Sequence, residues 1–491
     1  MESVVEVPIQ PAPLERFVPI VGPVRVAEAQ EHARYLREAA RDRTIWNVNS
    51  TAAGGGVAEM LRSLLAYARS TGIDVRWLVI HGGPDFFRVT KRLHNALHGE
   101  PGDGTPLGLD ERAIYEATLA ENTRDLLERI NPRDVVLLHD PQTAGLVSVL
   151  QREGARVIWR SHVGTERHNA QTELGWAFLE PYLHNVQSAV FSRAAYVPQW
   201  LEGKVDVIVP SIDPFSAKNC PMTESEIRAI LGYVGLVQNL GATAAPLFHR
   251  DDGSTAGFDR CADVLSHGPP PPWDAPLVVQ VSRWDELKDP LGVVRGFAQI
   301  LDQGAPPTAQ LIVAGPDVSA VADDPEGPRV FNAVVEGWRM LPDAQRRRVH
   351  LANLPMHDVE ENAAIVNALQ RHAQVVVQKS VREGFGLTVT EAMWKARPVV
   401  ATAVGGIVDQ IEDGVTGLLI RDPDDLVSFG KALLQLLRDP ERAKEMGLRA
   451  HQRVVERFLG VRHLMQYAAI IERLDALEEH RPPPIDGAAM R

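Results

Sequence analysis

The chain has 491 residues, 45% hydrophobic and 23% charged, with a formal net charge of −13. That length exceeds one ordinary core and implies two or three domains, and the acidic balance argues against a general nucleic-acid-binding surface. Two cysteines, Cys220 and Cys261, are too few for a disulfide framework or a four-cysteine metal site, so reduced thiols in a cytoplasmic protein are expected.

Residues 1–42 begin Pro-rich and turn helical at about 27–42, a leader expected to pack on the first domain. They show no basic region followed by an apolar core, and no stretch approaches about 18 uninterrupted apolar residues, so neither a secretory signal nor a membrane span is expected. Between 43 and 211 short apolar runs alternate with helical patterns: TIWNVNS, DVRWLVIHG, DVVLLHD, ARVIWRSH, SAVFSRAAYVP and VDVIVPS. Residues 212–274 differ, with a helical piece, a polar run and PPPP, and read as a connector. A second alternating series fills 275–458: PLVVQVSRW, AQLIVAGPD, RVHLANLP, AQVVVQKS and RPVVATAV. Residues 459–480 form an amphipathic helical pattern and 481–491 a loose tail. Alternating strand and helix signals predict α/β domains with parallel, doubly wound sheets, and no repeat of about 20–50 residues suggests a solenoid.

The stretch SVREGFGLTVTEAMWKAR at 380–397 is the most informative. It reads as a strand end, a glycine turn and a helix start, with Glu383 and Glu391 separated by seven residues. A helix N-terminus at a strand end offers free N–H groups and partial positive charge, which suits a phosphate. Glu383, in the turn, could meet sugar hydroxyls; Glu391, about two turns into the helix, could accept bonds from a ribose. Two solvated glutamates on an ordinary connection would give the same spacing, but here RPVVATAVGG and DGVTGLLI follow in order.

Other candidates lie at predicted strand ends, where open α/β sheets bind ligands. Arg283 and Lys288 follow the first strand of the second series and could neutralise a leaving diphosphate; surface pairing with Asp285, Glu286 or Asp289 is the plainer alternative. Gly54, Gly55 and Gly56 let the backbone approach a ligand, although their spacing is not that of a dinucleotide fingerprint. His162 can donate to or accept from a sugar hydroxyl. His139 and Asp140, and the helical Lys91, Arg92 and Asn95, could contact an acceptor sugar or serve structure alone. No zinc helix motif, EF-hand loop or strand-end D-x-D occurs, so no metal and no cofactor are expected.

The ordered glutamate motif resembles that of family 4 retaining glycosyltransferases, which have the GT-B fold of two Rossmann-like domains facing across a cleft. WNVNSTAAGGGVAEMLRSL, FFRVTKRLHNALHG, LLHDPQTAGL, WRSHVGTERH and VSRWDELKDPLG narrow the resemblance to trehalose glycosyltransferring synthases, over about 44–470. The resemblance implies an acceptor domain at 43–211, a nucleotide-sugar donor domain at 275–458, and a C-terminal helix crossing back to the first domain. It implies catalytic roles for Arg283, Lys288, Glu383 and His162. Donor contacts are implied for Glu391, Gly384, Phe385, Gly386, Leu387, Gly315, Asn353 and Leu354, and acceptor contacts for Gly54, Gly55, Gly56, Lys91, Asn95, His139 and Asp140. The partners would be a nucleotide-glucose (UDP-, ADP- or GDP-glucose) and glucose, the product α,α-trehalose, and the assembly a homodimer. An aminosugar or pseudo-sugar acceptor, a trehalose phosphorylase, a non-catalytic sugar-nucleotide sensor and a sugar-nucleotide epimerase are the rival readings.

Overall fold

The computed structural model describes residues 4–39, 42–52, 56–239, 245–318 and 326–479. The chain divides into two compact units, 1–210 with 460–491, and 211–459.

In the first unit the strands are β1 (Val4–Val7), β2 (Ile45–Asn49), β3 (Val75–Ile80), β4 (Val135–His139), β5 (Arg156–Ser161), β6 (Ser188–Phe191) and β7 (Val205–Val207). They form one sheet in the order β1-β3-β2-β4-β5-β6-β7, parallel except for β1, which runs antiparallel to β3. The leader thus contributes an edge strand, and its helix begins at Pro23, earlier than the apolar pattern indicates. Alternation along each strand sorts the core into two faces. Trp46, Val48, Leu78, Val136, Leu138 and Trp159 pack on one side with Phe86, Leu119 and Leu179. Ile45, Trp77, Val135, Leu137 and Ile158 pack on the other with Leu36, Leu61 and Ile471. Ile471 belongs to the C-terminal helix Gly460–Glu479, which lies within this unit.

The second unit holds a hairpin of β8 (Leu247–His249) and β9 (Thr255–Gly257), then β10 (Asp263–Leu265), β11 (Leu277–Val281), β12 (Gln310–Pro316), β13 (Val349–Leu354), β14 (Val375–Gln378), β15 (Val399–Thr402) and β16 (Leu418–Ile420). Its main sheet runs β10-β13-β12-β11-β14-β15-β16. Only β10 is antiparallel. Without β10 this is the 3-2-1-4-5-6 order of a Rossmann sheet. Residues 212–274, expected as a connector and the entrance to the second domain, fall within this unit. They supply the helix Glu224–Tyr233, the hairpin and edge strand β10, and Arg250 of the hairpin pairs with Asp358 and with Glu360 at 2.6 Å. Fixed ion pairs and a paired strand hold such a segment in place, which composition alone does not reveal.

In each sheet the strand order reverses once: between β2 and β4 in the first unit, and between β11 and β14 in the second. Parallel sheets of this kind bind ligands at the carboxyl ends of the strands flanking that reversal.

Candidate active site

In the second unit the chain leaves β11 through a loop carrying Arg283 and a single helical turn, Glu286–Lys288. Asp285 caps that turn by accepting from the Leu287 N–H. Gln280 of β11 holds the Lys288 carbonyl at 2.8 Å, which fixes where the lysine side chain departs. Lys288 Nζ meets Glu383 Oε2 at 2.7 Å, bringing the ends of β11 and β14 together. Glu383 also accepts from Ser380 Oγ at 3.2 Å and Gln378 Nε2 at 3.4 Å. An ammonium has three donors, and Glu383 takes one of them. Arg283 is half-exposed, with its guanidinium 3.6 Å from Asp285. Lys288 and Glu383 therefore meet at the strand ends, and Arg283 lies on the loop that leads to them.

The glycines after Glu383 have steric reasons. Gly386 has φ +82, and a Cβ there would lie 3.0 Å from the Glu383 side chain. A Cβ on Gly405, also at positive φ, would strike the Glu383 carbonyl at 1.7 Å. The Gly406 N–H donates to the Gly384 carbonyl at 3.0 Å, so two glycine loops lock together. Gly386 then starts the helix Leu387–Trp394 with no side-chain cap. Phe385, expected among donor contacts, is 6% exposed and packs toward Phe458; its ring anchors the loop.

Glu391 lies little more than one turn into that helix, not two, because left-handed Gly386 delays the helix start to Leu387. Its carboxylate is nearly buried, 3.7 Å from Lys218 Nζ, a residue the sequence did not single out. Beneath it, Lys395 is buried and bonds Asn219 Oδ1 at 3.0 Å, Gln370 Oε1 at 2.8 Å and the Glu391 carbonyl at 3.2 Å. Burial lowers the Lys395 pKa, and the Glu391 charge opposes that shift. Gly315 and Asn353 pair across β12 and β13, as do Pro316 and Leu354. A Cβ on Gly315 would lie 2.6 Å from Trp284 Nε1, so indole packing accounts for that glycine. Asn353 and Leu354 side chains are buried, so a donor would meet the backbone at the end of β13 rather than these side chains.

In the first unit, Gly54 and Gly55 lie outside the described residues, and Gly56 opens the helix Gly56–Ser70. His139 ends β4 and is 1% exposed. Its Nε2 is 3.1 Å from Asn47 Oδ1 and its Nδ1 3.2 Å from His162 Nε2, with the two rings stacked. Both nitrogens are engaged, which holds the His139 ring against Asn47 and His162. Burial pulls the His139 pKa down to about 3 and holds His162 well below the imidazole range, with Arg160 adding to both. Asp140, at φ +65, accepts from the His162 N–H at 2.7 Å. Burial pushes its carboxyl up to about 7. Arg160 is fully buried. Its two outer nitrogens donate to Tyr467 Oη at 2.8 Å and the Ile208 carbonyl at 3.0 Å, and its Nε faces the His162 ring. Arg160 near the end of β5 and His162 just beyond it stand two positions apart, the signal that could have found the arginine.

Lys91 is exposed on the helix Pro84–Leu97. Asn95 on the same helix is half-buried beside Gly102, where a Cβ would lie 2.9 Å from its Nδ2. Arg92 is committed to Asp103 at 3.0 Å and Glu111 at 3.1 Å. The structure thus joins His139, Asp140 and His162 and leaves the helical residues on a separate element. Among the described residues no group of three His, Cys, Asp or Glu is placed to hold a metal ion, and no helix is long and apolar enough to cross a membrane.

Residues 47–198 match the model of the trehalose synthase N-terminal domain, and 268–453 match that of group 1 glycosyl transferases. A trehalose synthase of Pyrococcus horikoshii is 35% identical over 462 residues, spanning 94% of this chain and 96% of that protein. The chain belongs to the trehalose synthase family of glycosyltransferases. A trehalose phosphorylase of Pleurotus sajor-caju is 26% identical over 76% of this chain, matching half of that longer protein. The crystal structure of a UDP-forming α,α-trehalose-phosphate synthase from Burkholderia vietnamiensis superposes with a TM-score of 0.65 at 15% identity, covering 89% of this chain and 98% of that one. The family 4 resemblance and the GT-B type of fold hold, and trehalose-related glycosyl transfer is the chemistry of the family.

Proposed function

We propose that this enzyme moves glucose from a nucleotide-glucose to the anomeric hydroxyl of free glucose, forming α,α-trehalose with retention and without a metal. The observation that carries the reading is the Lys288–Glu383 contact of 2.7 Å at the reversal of the second sheet, with Arg283 on the same loop. Fixed cations there stabilise the charge that grows on a leaving diphosphate, and the open start of the helix at Gly386 adds N–H donors. Glu391 takes the ribose hydroxyls, Glu383 takes hydroxyls of the glucosyl ring, and His162 of the first unit is assigned to a sugar hydroxyl. The acceptor oxygen bonds to C1 on the face from which the phosphate oxygen departs, and that phosphate oxygen takes the acceptor proton. Electrons of the broken C1–O bond leave with the nucleoside diphosphate, so no enzyme nucleophile is consumed.

Similarity to a trehalose phosphorylase favours one second reading, in which orthophosphate replaces the nucleotide. Incubation with each of UDP-, ADP- and GDP-glucose plus glucose, followed by NMR, reads linkage and anomeric configuration together. An α,α-1,1 product from at least one nucleotide supports the proposal. Glucose 1-phosphate formed from trehalose and orthophosphate, with no reaction from any nucleotide-glucose, supports the phosphorylase instead.

A further inference from the structure

Two charge contacts cross between the exits of β11 and β14. Lys288 and Asp289 are consecutive on the first exit, and Lys379 and Glu383 lie on the second. Lys288 Nζ meets Glu383 Oε2 at 2.7 Å, and Asp289 Oδ2 accepts from Lys379 Nζ. Each exit thus supplies one cation and one anion, and the charges pair crosswise. The first rung belongs to the proposed diphosphate site. The second is closed to solvent at its lysine, which is 1% exposed.

Asp289 is the joint of the first exit. It ends the turn Glu286–Lys288 and begins the helix Pro290–Leu301. Its backbone is left-handed, with φ +45 and ψ +53, a region that Asp and Asn enter more readily than other residues with a side chain. Its carboxylate bonds in two directions: Oδ1 accepts from the Gly292 N–H at 2.9 Å, and Oδ2 accepts from Lys379. Gly292 follows from this, because a Cβ there would lie 2.0 Å from Asp289 Oδ2. The backbone just before the joint is held as well. Gln280 Nε2 donates to the Lys288 carbonyl at 2.8 Å, and the Val381 N–H donates to the Leu287 carbonyl at 2.8 Å.

We infer that Asp289 and Lys379 are positioning residues for Lys288: their pair fixes the left-handed joint, and the joint aims the Lys288 ammonium at Glu383. A lysine side chain is a flexible four-carbon stem, so the place of its charge is defined only when its backbone is. Turning the joint would strip a buried ammonium of its carboxylate, which is costly. Glycine would satisfy the left-handed backbone but would offer nothing to Lys379 or to the Gly292 N–H. The consequence for turnover rests on the transferase reading above; the placement of Lys288 does not.

The test is Asp289→Asn. Asparagine keeps the left-handed backbone and the helix cap and removes the charge that Lys379 faces. Trehalose formation should lose about 10–100-fold in kcat, the scale for a reacting group displaced by about 1 Å, with KM for donor and acceptor nearly unchanged. In a Lys288→Met background the same change should add nothing, because its effect travels through Lys288. A wild-type kcat in Asp289→Asn, or an undiminished loss in the Lys288→Met background, overturns the inference. Should Asp289→Asn fail to fold, Lys379→Met, which leaves the cap in place, carries the same expectations. Crystal structures of the wild type and the folded variant read the geometry without turnover: Lys288 Nζ should leave Glu383 in the variant, and an unmoved Lys288 overturns the inference whatever the activity. If the wild type forms no trehalose from any nucleotide-glucose, the transferase reading fails and the crystal comparison still decides the role of Asp289.

Discussion

Lys288 and Glu383, 95 residues apart in sequence, meet at 2.7 Å across the ends of two neighbouring strands. The contact neutralises the carboxylate and aims the ammonium, while Ser380 and Gln378 keep the carboxylate in place. Lys288→Met should therefore lower kcat by about 10²–10³-fold, the range for losing one group that stabilises developing charge. Glu383→Gln should act through the same pair, so the double variant should lose less than the sum of the two single losses. Steady-state kinetics of the four proteins would measure the coupling; full additivity would mean the pair has no joint role.

Glu391 is nearly buried beside Lys218, and the proposed function assigns it to the ribose, away from the bond that breaks. Glu391→Ala should weaken nucleotide binding by about 10–100-fold, the equivalent of a charged hydrogen bond of about 1.5–3 kcal/mol. kcat at saturating donor should fall much less. Calorimetric titration with the nucleoside diphosphate reads this directly, and unchanged affinity would remove Glu391 from the donor site.

Lys379 is 1% exposed, and Asp289 pairs with it while capping the helix Pro290–Leu301 from a left-handed backbone position. Asp289→Ala leaves a buried ammonium without its carboxylate and a helix without its cap. A stability loss of about 2–3 kcal/mol is expected, somewhat below that of a fully buried pair because Asp289 is partly exposed. Urea denaturation of the two proteins tests it.

The pH dependence of stability follows from the first unit. His139, held down to about 3, stays neutral in the fold while the unfolded chain takes up a proton below about 6.5. Its contribution is intact above pH 6.5 and is lost as pH falls toward 3. His162 and His463 shift in the same direction. Asp140, raised to about 7, works the other way: the fold holds a proton that the unfolded chain releases above about 4, so its contribution declines as pH rises from 4 to 7. Three histidines against one aspartate should give a melting temperature that drops between pH 6.5 and pH 4.5. His139→Gln should flatten that acid slope, and Asp140→Asn should make it steeper. Calorimetric scans at several pH values would show both.

Charge at the proposed diphosphate site comes from Arg283 and Lys288. Activity should survive excess EDTA; a loss restored by Mg²⁺ would contradict the metal-free proposal.

Much of this was legible along the chain. The glycines around Glu383 are visible in sequence because a side chain at Gly386 or Gly405 would collide with Glu383. Short apolar runs alternating with helical patterns announced both sheets, since strands of a parallel sheet covered on both faces are buried at successive positions. The burial of the Phe385, Asn353 and Leu354 side chains was not legible, because a residue in a loop or at a strand end can turn inward as easily as outward, and only its neighbours decide.

By itself the sequence determined two runs of parallel strands, the glutamate spacing and the strand-end position of the cations, because these depend on local periodicity and short-range sterics. Tertiary structure alone decided which groups touch. Lys218 reaches Glu391, Tyr467 reaches Arg160 from 307 residues away, and β10 and Arg250 join the second unit through a strand pairing and an ion pair. Burial does the rest: it moves the pKa values of His139, Asp140 and Lys395, and no linear pattern records how much water a side chain loses on folding.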